Sequence, residues 1–223
     1  MSFVRTIYLA SVVIAAVLSP YCATVLQADE IPLGHVEKSI AVVVRDNMVR
    51  IEYQIGMNPA DIRDWCGEQA IDVANADTSE LLAAFAEGVK TVGDELISIQ
   101  LDDQDVSPIV AGARAGGQHH VSAVVVFEFE IETAADSLTQ HSLKVFDQSF
   151  KGMDGAIRLA AKCQGNAMLR SSNVKPIIVR ADRVDFSELS EDERIEKTTI
   201  QTDILIRGQP SKTDQNSETE SGK

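Results

Sequence analysis

Apolar and polar residues alternate strictly from Val49 to Ile55, with Val49, Ile51, Tyr53 and Ile55 set against Arg50, Glu52 and Gln54. A period of two marks a strand with one face buried. The apolar run Ile40–Val44 precedes it across Asp46-Asn47, a pair whose side chains bond nearby backbone in turns. Residues 35–45 and 49–55 therefore predict an antiparallel hairpin. Asn58-Pro59 then predicts a helix start, with Asn58 as cap and Pro59 in the first helical position, running through Trp65. From Asp77 the period changes: Leu81, Phe85, Val89, Val92 and Leu96 share one face of a helix, and Asp77 with Glu80 forms its capping pair.

Downstream, Leu96–Leu101 predicts a strand followed by an acidic turn at Asp102–Asp105, and the Gly- and Ala-rich stretch Ala111–Gln118 predicts a loop. Val121, Ala123, Val125, Phe127, Phe129 and Ile131 predict a long strand whose glutamates meet water. Further strands are expected near Ser142–Phe146, Gly155–Cys163, Ala167–Arg170, Pro176–Ala181 and Lys197–Arg207, with a short helix capped by Ser190 and Glu193. Beyond Gly208 the chain lacks apolar residues and reads as a disordered polar tail, 208–223. The pattern predicts a mainly β fold: an immunoglobulin-like antiparallel β-sandwich over 29–207, with a helical insertion at about 58–95.

The N-terminus has a different pattern. Arg5 precedes an apolar stretch from Thr6 to Leu18 that Ser19-Pro20 interrupts, which reads as a secretory signal peptide over residues 1–28 with cleavage after Ala28. Two alternatives stay open. Cys22 invites lipid attachment, although Tyr21 beside it is wrong for that motif, and residues 6–28 are barely long enough for an uncleaved anchor. No later apolar stretch approaches a membrane-spanning length. An extracytoplasmic location, periplasmic or secreted, follows as an expectation.

The formal charge is −14, which disfavours nucleic acid and anionic lipid surfaces as partners. After the leader two cysteines remain, Cys66 and Cys163. In an oxidising compartment they form one disulfide or stay as two buried thiols. Metal ligation is the chemistry that the histidines could offer, through His35, His119 and His120, with His141 the fourth. Adjacent strand residues point to opposite faces, however, so His119 and His120 do not easily share one ion. Asp72, Asn75, Asp77 and Glu80 suggest a calcium loop, but the ligand spacing is broken and the glycine is absent. No G-x-S-x-G, H-E-x-x-H, phosphate-binding loop or C-x-x-C occurs, and no cofactor is implied.

Several short phrases occur together: Pro32-Leu33-Gly34-His35, Arg50–Met57 with Pro59-Ala60-Asp61-Ile62 after it, Leu101-Asp102-Asp103, and Val145–Phe150. Their order resembles the extracytoplasmic N-terminal domain of nickel/cobalt-type transporters and related stand-alone exported proteins of unassigned function, over most of residues 31–207. The resemblance implies an EF-hand-like loop near Asp72–Leu82, where Leu82 takes the place of the final acidic ligand. No membrane domain follows in this sequence, so the resemblance implies no transport activity. The expected function is that of an exported, non-enzymatic β-rich domain that binds another extracytoplasmic or membrane protein or helps to assemble an envelope complex. The alternatives are a soluble metal-handling accessory or sensor, and a hydrolase whose site follows no known motif.

Overall fold

The computed structural model describes residues 31–116 and 121–208. The leader, His119 and His120, and the tail from 209 onward lie outside the described residues. The elements follow in the order β1 (His35–Arg45), β2 (Met48–Met57), α1 (Pro59–Glu68), α2 (Thr78–Thr91), α3 (Gly93–Leu96), β3 (Ile97–Leu101), β4 (Gln104–Val106), β5 (Ile109–Gly116) and β6 (Val121–Glu130). Next come β7 (Leu138–Asp147), β8 (Asp154–Gln164), β9 (Ala167–Ser172), a 3-10 turn (Ile178–Arg180), β10 (Arg183–Asp185), α4 (Glu191–Thr198) and β11 (Thr199–Arg207). No described helix is long and apolar enough to cross a membrane.

The fold is mainly β, built from two sheets. One has the order β10-β8-β1-β2-β6-β5 and the other β4-β3-β7-β11-β9. Ile40, Ile51, Tyr53 and Phe127 from the first sheet and Ile99, Leu143, Val145, Ile200 and Ile204 from the second enter one core with Leu81, Phe85 and Val89 of α2. The expected hairpin is present, with Val42 opposite Ile51 and Ile40 opposite Tyr53. Pairing is not wholly antiparallel, because β1 and β8 run parallel, from Val36 beside Gly155 to Val44 beside Cys163. At the start of that pair Gly155 has φ +148°, and a Cβ there would lie 1.9 Å from the Val36 carbonyl oxygen. Only glycine fits.

Four local expectations are corrected. The Gly- and Ala-rich stretch is strand β5 for most of its length, because β6 offers it a complete edge, with Ala113 opposite Val125 and Ala115 opposite Ala123. A partner strand thus overrides weak intrinsic β-propensity. Residues 176–181 form a 3-10 turn instead of a strand; Lys175 before them makes an isolated bridge to Ala160, and β10 after them pairs with the same strand β8. The middle helix does not continue to Leu96 but breaks at Val92, after which Gly93 restarts a short turn against Val110 and Phe127. The acidic turn is also shorter than expected, since Gln104 and Asp105 already belong to β4. On β6, Val124 and Val126 are buried together with the expected Ala123, Val125, Phe127 and Phe129, so its second face is open mainly at the glutamates.

Candidate functional site

Among the described residues the histidines and cysteines that the sequence singles out are not brought together, whereas Asp72, Asn75 and Glu80 line one open pocket beside the start of α2. His35 opens β1, and its Nδ1 lies 3.1 Å from the Leu33 carbonyl. His141, on β7, places Nδ1 2.8 Å from Asp102 Oδ2, while its Nε2 is buried without a partner. Among the described residues no three His, Cys, Asp or Glu side chains are placed to hold a metal ion. Asp102 and Asp103 both have positive φ, 54° and 61°, as a tight hairpin turn requires. The Ser142 amide, His141 and Lys144 hold them from β7. Partial burial works against ionisation of Asp102, yet the Ser142 amide and His141 outweigh it and keep its carboxyl below the usual value. Asp77 and Glu80 are committed to the capping box of α2, at 2.9 and 3.0 Å, and Asp72 accepts from the Ala74 amide.

Of the two alternatives for Cys66 and Cys163, a disulfide or separate thiols, the structure has the second: both are free thiols. Cys163 sits beside Val44 at one end of β1, whereas α1 leaves the sheet after Met57, beside Val36 at the other end. Eight residues of strand separate those ends by about 26 Å. Burial pushes both thiols up, Cys163 to about 11, which makes them poor nucleophiles.

The alternation along β1 holds a feature that the sequence reading passed over. Val36, Ile40, Val42 and Val44 face the core, and the fifth member of that row is Lys38. Its ammonium donates to Asp147 Oδ2 at 2.8 Å and to the Ser149 carbonyl at 2.7 Å, with both side chains of the ion pair fully buried. Tyr53, buried on β2, donates to Asp147 Oδ1 at 2.9 Å and touches the Ser149 hydroxyl, which itself lies 3.0 Å from the same oxygen. The Phe186 and Phe150 rings face the ammonium at 5.0 and 5.8 Å. Burial lowers Lys38 to about 8 even though Asp147 opposes it, and burial aided by Asp147 pushes the Tyr53 phenol well above its ordinary value. Each polar group in the network is bonded within the chain. Its physical effect is to pin the β7–β8 connection to the core. Arg194 of α4 holds the same connection from outside, donating to the Lys151 and Phe150 carbonyls at 3.1 and 3.5 Å and stacking on Phe186 at 4.3 Å.

This pinned connection forms one wall of an open cleft of about 530 Å³, with α1 and Glu95 opposite. On α1, Asp61, Asp64, Trp65 and Glu68 follow helical spacing toward the cleft, while Ile62 and Cys66 are buried. The Trp65 ring is braced edge-on against Phe85, with centroids 5.2 Å apart, and tilted against Phe150 at 6.2 Å. Behind it Gly88 leaves no spare room, because a Cβ there would lie 2.9 Å from the indole. Val92 and Met153, with the buried Met57 and Leu96 beneath, complete the apolar part of the lining. Asp61 accepts the Gly34 amide at 3.0 Å. Among the described residues no Lys or Arg forms an ion pair with Asp61, Asp64, Glu68 or Glu95. On its far side the connection borders a second cleft of about 420 Å³, which Arg194 and Ile195 of α4 line.

Fold and site together define a mainly β domain of two sheets, with a helical flank that shapes an acid-rimmed cleft around one tryptophan. No protein-family model matches the chain, and no curated protein matches it significantly in sequence.

Proposed function

We propose that this chain is an exported, non-enzymatic binding domain that docks a protein partner in the cleft between α1 and the β7–β8 connection. The observation that carries the reading is the construction of that cleft. A buried ion pair, a buried tyrosine and an arginine clasp fix one wall, and Trp65, the aromatic type most enriched at binding hot spots, is braced and half-buried inside it. A fixed wall lowers the entropic cost of association, since little is left to order when the partner arrives. The Lys38 network supports a structural role over a catalytic one, because its hydrogen-bonding groups are spent on each other. The N-terminal pattern supports export, and the resemblance to extracytoplasmic domains of transporters supports an envelope setting for the partner. In the same reading the two sheets are the immunoglobulin-like platform on which the cleft is mounted.

The test is site-directed photocrosslinking in cells that make the full chain, with the crosslinker replacing Glu68 in one strain and Gln201, exposed on β11, in another. A discrete adduct from Glu68 and none from Gln201 is the expected result. Equal adducts from both positions, or one from Gln201 alone, overturn the assignment of the cleft. N-terminal sequencing of the recovered chain checks export, with Asp29 expected as the first residue.

A further inference from the structure

We infer that the cleft takes a basic segment of the partner, in which lysine or arginine alternates with apolar residues; this rests on the docking reading above. The lining divides by chemistry. Trp65, Val92, Phe150 and Met153 offer part-exposed apolar surface, and Asp61, Asp64, Glu68 and Glu95 stand around it without a paired cation among the described residues. Carboxylates around a concave, low-dielectric wall focus a negative field into it. An aromatic face beside them suits both the alkyl stem of lysine and the plane of a guanidinium. A single metal ion fits poorly, because no three acidic, histidine or cysteine side chains among the described residues converge on one point. The charges are spread along a line instead. Asp61 and Glu68 are seven residues apart on α1, about 10 Å of helix. In an extended peptide, side chains on one face recur every ~7 Å, so two basic residues flanking an apolar one reach both ends of that rim through their flexible stems, while the apolar side chain between them turns toward the Phe150 wall. The net charge of −14 draws such a segment from a distance and repels acidic peptides and anionic headgroups.

The chain has a single tryptophan, Trp65, and it lies in the cleft, so indole fluorescence of the full chain reports occupancy directly. The probes are three blocked pentapeptides, Lys-Leu-Lys-Leu-Lys and its Glu-Leu and Ser-Leu counterparts. The lysine peptide is expected to shift the emission saturably, and the other two to bind about tenfold or more weakly. Asp64→Asn with Glu68→Gln is expected to weaken the lysine peptide about tenfold, because two exposed charges that attract it are removed. High salt is expected to have the same effect. Both substituted side chains are exposed, and an unchanged melting temperature confirms that the variant is folded. If the serine peptide binds as well as the lysine peptide and the double variant binds both unchanged, the cleft docks apolar segments and the cationic inference is overturned. If no peptide moves the emission while the Glu68 crosslink still forms, the inference is again overturned and the docking reading stands. Loss of the Glu68-specific crosslink removes the docking reading itself.

Discussion

Lys38 is the residue on which the β7–β8 connection depends. Replacing it with methionine leaves Asp147 buried without its cation, which costs about 3–5 kcal/mol. Urea unfolding should show this loss, and Lys38→Met combined with Asp147→Leu should recover part of it. A single-variant change below about 1 kcal/mol would mean that the pair is not buried as described. The pair also sets a pH dependence. Lys38 falls from 10.5 to about 8 on folding, so between those values the unfolded chain holds a proton that the folded chain has released. Stability should therefore rise through that window as far as the Lys38 contribution goes. Tyr53 acts in the opposite sense above pH 10, its ordinary value being 10.0 and its folded value higher. The comparison belongs between pH 8 and 10, where Lys38→Met should lack the rise that the parent shows. Parallel profiles for the two would contradict this assignment.

Two elements rest on single residues that are open to test. Asp77 caps α2 by accepting the Glu80 amide, and Asp77→Ala should cost about 0.5–2 kcal/mol in denaturant unfolding, with the slope unchanged. Gly155 admits no side chain at the start of the parallel pair, so Gly155→Ala should lower the melting temperature by the equivalent of about 1–3 kcal/mol. A neutral result would show that β8 can leave Val36 without consequence. Period and caps made β1, β2, β6, β11 and the starts of three helices readable from the sequence, because each signal is local. Strand β5 was not readable: its alanines and glycines carry no β signal, and the edge of β6 recruits it. Strands β4 and β10, three residues each, are too short to show a period. Residues 176–181 carry apolar residues enough for a strand but turn as a 3-10 segment, leaving the pairing with β8 to Lys175 before them and β10 after them.

At the scale of the molecule, long-range geometry decides what local pattern leaves open. The cysteines illustrate it, since nothing in their spacing shows that α1, which carries Cys66, starts from the end of β1 away from Cys163. Alkylation in urea without reductant should modify both Cys66 and Cys163. Modification of neither would mean that the two cysteines are bridged. The cleft was half legible. Asp61, Asp64, Trp65 and Glu68 form one acidic and aromatic helix face that a helical projection displays, and Lys38 stands out in an apolar row. The opposite wall comes from residues 148–153, about eighty positions further along, and only the pairing of β7 and β8 into different sheets brings it there. The most direct test of the account is hydrogen exchange on the full chain, free and bound to the partner recovered through Glu68. Added protection is expected in residues 59–69 and 148–153 together, with β9 and β11 unchanged. Protection confined to the outer face of the β7, β11 and β9 sheet would contradict it.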